Sequence, residues 1–156
     1  MFDERGAPLV CSRASAKQVD QFASGFCHVF ALALHRRYGW RLRALGDPAD
    51  EYSLHPWNGI SSLPDHVYCL RDDGSPVDIH GLWADEVAIR RFFAREECPD
   101  EVKVSVGISE EQLLHELPAI GYPRILDKDM QDAIQVVEGL ALPGVSPSSS
   151  DYDVEM

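Results

Sequence analysis

Cys27, His66 and Asp78 are the residues of this chain whose types and settings fit one chemistry, nucleophilic attack by a thiolate. Cys27 stands in Ser24-Gly25-Phe26-Cys27-His28-Val29-Phe30-Ala31-Leu32-Ala33-Leu34-His35, in the first turn of an expected helix. There the free backbone N–H groups and the helix dipole favour thiolate over thiol. His66 begins an expected strand, and Asp78 lies between Val77 and Ile79 in the next one. A carboxylate inside a strand is disfavoured by propensity and needs a partner. An imidazole beside Cys27 would take its proton, and a carboxylate behind that ring would fix its tautomer and stabilise the imidazolium. Two of the three also have a plainer reading: a small buried hydrophobe for Cys27, a surface histidine at a strand start for His66.

The elements that must bring these residues together follow from spacing. From Ser24 to Tyr38, Phe26, Val29, Phe30, Ala33 and Leu34 recur at helical intervals. Ser24 or Gly25 caps the start, while His35, Arg36 and Arg37 in the last turn and Gly39 beyond it mark the end. Cys27 falls on the margin of the apolar stripe, where a cleft could reach it. Trp40 to Leu45 reads as a strand, and Gly46 to Asp65 as a long loop with Trp57 as its anchor. Asp72-Asp73-Gly74 predicts a hairpin in which Arg71 pairs with Ser75. That register puts Val77 opposite Cys69 and Ile79 opposite Val67, with His66, Tyr68, Asp78 and His80 together on the other face. A two-residue loop would instead separate His66 from Asp78.

Further along, Ala84 to Glu97 reads as a helix with Val87, Ala88 and Phe92 inward, and Val102, Val104 and Val106 alternate as a strand. Ser109-Glu110-Glu111-Gln112 has the capping-box pattern and opens a helix through Leu113, Leu114 and Leu117 up to Pro118. A last helix starts at Asp127 or Asp129 and carries Met130, Ile134, Val137 and Leu140 inward. Residues 1–16 read as a loose arm, 17–142 as the domain and 143–156 as a disordered acidic tail. The expected class is α+β: the first long helix packs on a small antiparallel sheet, with later helices on its other side.

Around the three central residues stand weaker candidates. Gln21, six residues before Cys27, could donate a side-chain N–H to an oxyanion, with Gln18 as its competitor. Tyr68, His80 and Trp57 are candidate substrate-binding residues, and His80 could also replace the base. His28 adjoins Cys27 but points about 100° round the helix from it, which argues against direct pairing. Cys11, Cys69 and Cys98 have no partner pattern, and Cys69 reads as core.

Composition bounds the rest. A chain of 156 residues, 45% hydrophobic and 26% charged, fits one globular domain with a real core. A net charge of -12 argues against nucleic acid, whose phosphates need clustered Lys and Arg. No stretch approaches the roughly 20 apolar residues of a membrane span. The charged N-terminus does not resemble a signal peptide, so the four cysteines read as reduced thiols in a cytoplasm.

A Cys at a helix start, a His on one strand and an Asp on the next resemble the papain-like superfamily in its broad sense. Gly25-Phe26-Cys27-His28-Val29-Phe30-Ala31, His66-Val67-Tyr68 and Asp78-Ile79-His80-Gly81 also resemble bacterial and phage proteins of this kind. The likeness covers roughly residues 21–81. It implies Cys27 as nucleophile, His66 as base and Asp78 as third member, with Gln21 matching the papain oxyanion glutamine by spacing alone. It departs from papain itself in lacking Cys-Trp after the glutamine and in having Asp for Asn. The implied activity is that of a peptidase, amidase or deamidase, with no cofactor, a peptide, protein or other amide as partner, and an open oligomeric state. Two other readings stand beside it: a non-enzymatic inhibitor or immunity factor on the same fold, and a metal site built from His66, Asp78 and His80.

Overall fold

A computed structural model describes residues 8, 10–11, 14–23, 25–94 and 103–139. Their strands are β1 (Val10–Cys11), β2 (Arg41–Gly46), β3 (His66–Leu70), β4 (Pro76–Asp78), β5 (Gly81–Leu82) and β6 (Val104–Ile108). Their helices are α1 (Ala16–Ala23), α2 (Cys27–Tyr38), α3 (Glu86–Phe93), α4 (Leu117–Ile120) and α5 (Asp127–Gly139), with a π-helical turn, Gln112–Glu116, running into α4. The strands form one antiparallel sheet in the order β1-β5-β4-β3-β2-β6. The architecture is mixed α+β.

Alternation along the strands gives the sheet two buried faces. Val67, Cys69, Val77 and Ile79 share a core with Phe22 of α1, Cys27 and residues 29–34 of α2, Leu113, Leu117 and Val137. Leu45, Tyr68, Trp83 and Ile89 form a second cluster beneath α3. The expected arrangement of later helices therefore needs correction: among the described residues only α3 lies opposite α2, while α5 and the Gln112–Ile120 helix pack on α2's own side.

Local signals account for most boundaries. Gly39 ends α2 in the left-handed region (φ 76°), its N–H donating to His35 O. Ser109 and Gln112 exchange side-chain and backbone hydrogen bonds at 3.1 Å each, the reciprocal capping box their spacing predicts. The hairpin forms as expected, with Arg71 N–H on Ser75 O at 2.9 Å and Cys69 opposite Val77.

Other expectations fail. Ile79 does not pair with Val67, because the chain leaves β3 after β4 and turns through Asp78-Ile79-His80-Gly81 into β5. The supposed arm, residues 1–16, contributes β1, paired with β5, and leads directly into a helix, α1, that the sequence reading did not assign. Ser15 and Gln18 cap that helix reciprocally, so Gln18 has a structural task. In α3, Asp85 caps the start and Ile89 takes the buried position, leaving Val87 52% exposed. In α5, Ala133, Val136 and Val137 are buried and Ile134 faces outward. Pro118 does not end its helix: the widened π turn precedes it, and a proline in the first turn of α4 has no N–H bond to lose. Val102, Cys98, Leu140 and the 143–156 tail lie outside the described residues.

Candidate active site

Gly25 (φ 94°) turns the chain from α1 into α2, so that Cys27 becomes the first residue of the long helix. Phe26 stands at the N-cap position, and its side chain makes no capping hydrogen bond. The hairpin brings His66, at the start of β3, level with Asp78, at the end of β4. His66 Nε2 donates to Asp78 Oδ2 at 2.7 Å, a charge-assisted bond between two buried groups.

Asp78 collects further donors. Its Oδ1 accepts the His80 backbone N–H and the Trp83 indole N–H, each at 2.9 Å, and His80 Nδ1 lies 3.3 Å from Oδ2. The carboxyl is thereby held well below the usual carboxylate range: burial opposes ionisation, but hydrogen bonds from His66 and His80 and their charges outweigh it. Phe93 stacks on His66 with ring centres 4.4 Å apart, which fixes the imidazole plane. Sequence reading found neither Trp83 nor Phe93 as part of this cluster. Only their aromatic character near Asp78 hinted at a place in it.

With Nε2 committed to Asp78, Nδ1 is the atom His66 has left for Cys27. It is buried and makes no hydrogen bond in this resting arrangement. Burial alone would push the Cys27 thiol up. The neighbouring His28 and His66 side chains, the His66 charge and the Val67 backbone N–H reverse this and lower it from 9.0 to about 6. His66 moves the other way, from 6.5 to about 10: burial lowers it, but Asp78 and Cys27 more than compensate. Both directions favour a thiolate–imidazolium pair backed by a carboxylate.

Its setting is drier than the sequence suggested. Cys27 is 4% exposed, His66 0% and Asp78 2%, so the sulfur is not at the edge of an open cleft. What meets it is the connector between α4 and α5, residues 121–126. Tyr122 reaches the Cys27 sulfur, its hydroxyl donates to Pro64 O at 2.7 Å, and its ring meets His28 edge-on at 4.9 Å. His28 Nε2 in turn donates to Pro123 O at 2.8 Å. His28 thus anchors the segment that covers the sulfur, and no hydrogen bond joins its Nδ1 to Cys27, in keeping with its helical angle.

The weaker candidates separate. Gln21 is half-buried on α1, and no hydrogen bond joins it to Cys27, His66 or Asp78 among the described residues. Tyr68 is sealed in the core beneath α3, its hydroxyl shared between Glu86 (2.6 Å) and Ser105 (2.8 Å), so it cannot meet substrate there. Trp57 is buried on α2's side and donates its indole N–H to Glu116 at 2.8 Å, an anchor for the long loop. His80 stays partly exposed beside Asp78. Cys69 is core: its thiol donates to Ala31 O at 3.1 Å and burial raises its pKa. His66 and His80 both direct a nitrogen at the same Asp78 oxygen, which is hydrogen bonding rather than shared ligation. Among the described residues no three His, Cys, Asp or Glu side chains are disposed to hold a metal ion.

The pair also sets a pH signature. His66 adds stability that is complete below 6.5 and is lost as pH rises through about 10. Cys27 adds stability that is complete above 9.0 and is lost as pH falls through about 6. Across the shared window the two slopes have opposite signs and cancel. Urea unfolding of the intact chain then shows little pH dependence from this pair, whereas Cys27→Ala unmasks a fall in stability with rising pH. A variant as flat as the parent would contradict the assigned charges.

Among the described residues no helix is long and apolar enough to cross a membrane. Compared with known protein families, curated proteins and solved structures, the chain matches none.

Proposed function

We propose that this chain is a cysteine-dependent hydrolase or acyl-transfer enzyme that acts on an amide through a papain-like Cys27-His66-Asp78 triad. The observation that carries the reading is the convergence of the three side chains, with His66 Nε2 on Asp78 at 2.7 Å and the Cys27 thiol lowered to about 6. The thiolate attacks the amide carbonyl carbon, forming a C–S bond and an oxyanion. His66 gives its Nδ1 proton to the leaving amine as the C–N bond breaks. Water, deprotonated by the same nitrogen, then attacks the thioester and returns Cys27 as thiolate. Gln21 is the side-chain candidate for stabilising the oxyanion. Peptides, proteins or other amides are the substrate class, in a cytoplasmic setting.

A buried sulfur requires a motion before any carbonyl can approach it. Residues 121–126 are the segment to lift, since Tyr122 and Pro123 hold them down on Pro64 and His28. The same burial favours a second reading, a non-enzymatic inhibitor or immunity factor in which the three residues only stabilise the fold.

Site-resolved iodoacetamide labelling near neutral pH separates the two. The enzyme reading expects Cys27 to react before Cys11, Cys69 and Cys98, and several-fold faster in Tyr122→Phe, which lacks the hydroxyl bonded to Pro64. Labelling of Cys11 or Cys98 with Cys27 untouched in both proteins supports the second reading.

A further inference from the structure

We infer that Phe93 is a positioning residue for the base: the face of its ring lies against the His66 imidazole and holds that ring in its protonated form. This rests on the reading of His66 as the base. The two ring centres are 4.4 Å apart with 22° between their planes, so the face of Phe93, not its edge, meets the imidazole. Tyr68 lies nearly parallel to the same imidazole, at 6.0 Å and 17°. The face of an aromatic ring is the negative part of its quadrupole, and it attracts a cation within about 6 Å. His66 has reason to be that cation. It is completely buried, and the Asp78 carboxylate, itself 2% exposed, accepts from its Nε2 at 2.7 Å. A buried carboxylate needs a compensating charge.

The fold secures Phe93 from the other end of its helix. Phe93 is the last residue of α3, and Glu86 is the first. Arg43 of β2 grips Glu86 with two bonds, at 2.8 and 3.1 Å, and Tyr68 of β3 donates to it at 2.6 Å. Arg90, nearer the end of α3, donates to Ser105 of β6 at 3.2 Å. The helix is thus fastened to three strands, and its end stays on His66 unless those bonds break. Four titratable groups also face the imidazole: Asp78 on Nε2, His80 with its ring centre 6.5 Å away, Cys27 from α2, and Tyr68, whose hydroxyl is shared between Glu86 and Ser105. Asp78 meets the edge of the imidazolium, whereas Phe93 meets its face.

The test titrates His66 in the full-length chain by NMR of its ring Cε1–H, assigned by the loss of that signal in His66→Gln. A ring that merely sealed the imidazole from water would disfavour the cation, so its removal would raise the midpoint. The proposal expects the opposite sign. Phe93→Leu, which keeps an apolar side chain without a π face, lowers the midpoint by about one pH unit, a tenfold loss of imidazolium at a fixed pH above it. Phe93→Tyr, which keeps the face, stays near the parent. Fluorinated phenylalanines at position 93 keep the shape of the ring and withdraw its π charge stepwise, so the midpoint falls with each added fluorine. That series covers the case in which Phe93→Leu fails to fold. An unchanged or raised midpoint in Phe93→Leu, one as low in Phe93→Tyr, or a flat fluorine series overturns the proposal. The triad reading fails separately: it falls if His66 titrates in Cys27→Ala as it does in the parent, a comparison that leaves Phe93 untouched.

Discussion

Asp78→Ala lowers the unfolding free energy at neutral pH by about 3–5 kcal/mol, the usual result of removing one partner from a buried ion pair. The carboxylate accepts from His66 Nε2, the His80 backbone N–H and the Trp83 indole, and it is 2% exposed. Deleting it strands a buried imidazolium and two buried donors at once. None of the three can turn to water without breaking the packing of Trp83 and Phe93 against their neighbours. Asp78→Asn loses less, since its amide oxygen still accepts from Trp83 and His80. Urea titration of the three proteins measures both effects. A loss below about 1 kcal/mol for Asp78→Ala, the size of an ordinary neutral hydrogen bond, would show that no buried charge depends on this residue.

His66→Ala has the largest expected effect on reactivity. With the thiol at about 6, roughly nine-tenths of Cys27 is thiolate at pH 7. Without the imidazolium, burial is opposed only by His28 and the Val67 N–H, and the thiol returns to at least its ordinary range. The thiolate fraction at pH 7 then drops to about one-hundredth, and alkylation of Cys27 slows by about 100-fold. His66→Gln keeps an N–H for Asp78 without a titratable ring, so it guards against a trivial loss of packing; the same slowing is expected. Stopped-flow alkylation with peptide mapping measures both rates. An unchanged rate in His66→Gln would remove His66 from any account of the sulfur.

The central pairing was legible because short-range chemistry dictates it. Asp72-Asp73-Gly74 sets the loop length, Gly74 takes the positive φ (91°) it requires, and the period of two then puts His66 and Asp78 on one face. α2 was legible for the same reason, its stripe and its Gly39 stop being local. The covering of the sulfur was not. Tyr122 and Pro123 reach Cys27 and His28 across some 95 residues through a connector with no periodicity of its own. α1 was a different kind of miss: Ser15 and Gln18 carry the same spacing that correctly marked Ser109 and Gln112. With only eight residues, α1 shows too little apolar repeat to confirm the cap.

Lys103 has a consequence of another kind. Its ammonium joins Asp47 at 2.9 Å and Asp65 at 2.8 Å, the two ends of the excursion between β2 and β3, and its side chain is only 5% exposed. Cinched at its neck, the excursion can vary at its far end without disturbing the strands it joins. Its tip, with Tyr52 80% and Leu54 87% exposed, is therefore the natural place for grafting a foreign peptide or opening new chain termini. Added length there raises the closure entropy only logarithmically. Relatives of this chain would be free to diversify that tip while leaving Cys27, His66 and Asp78 where they are.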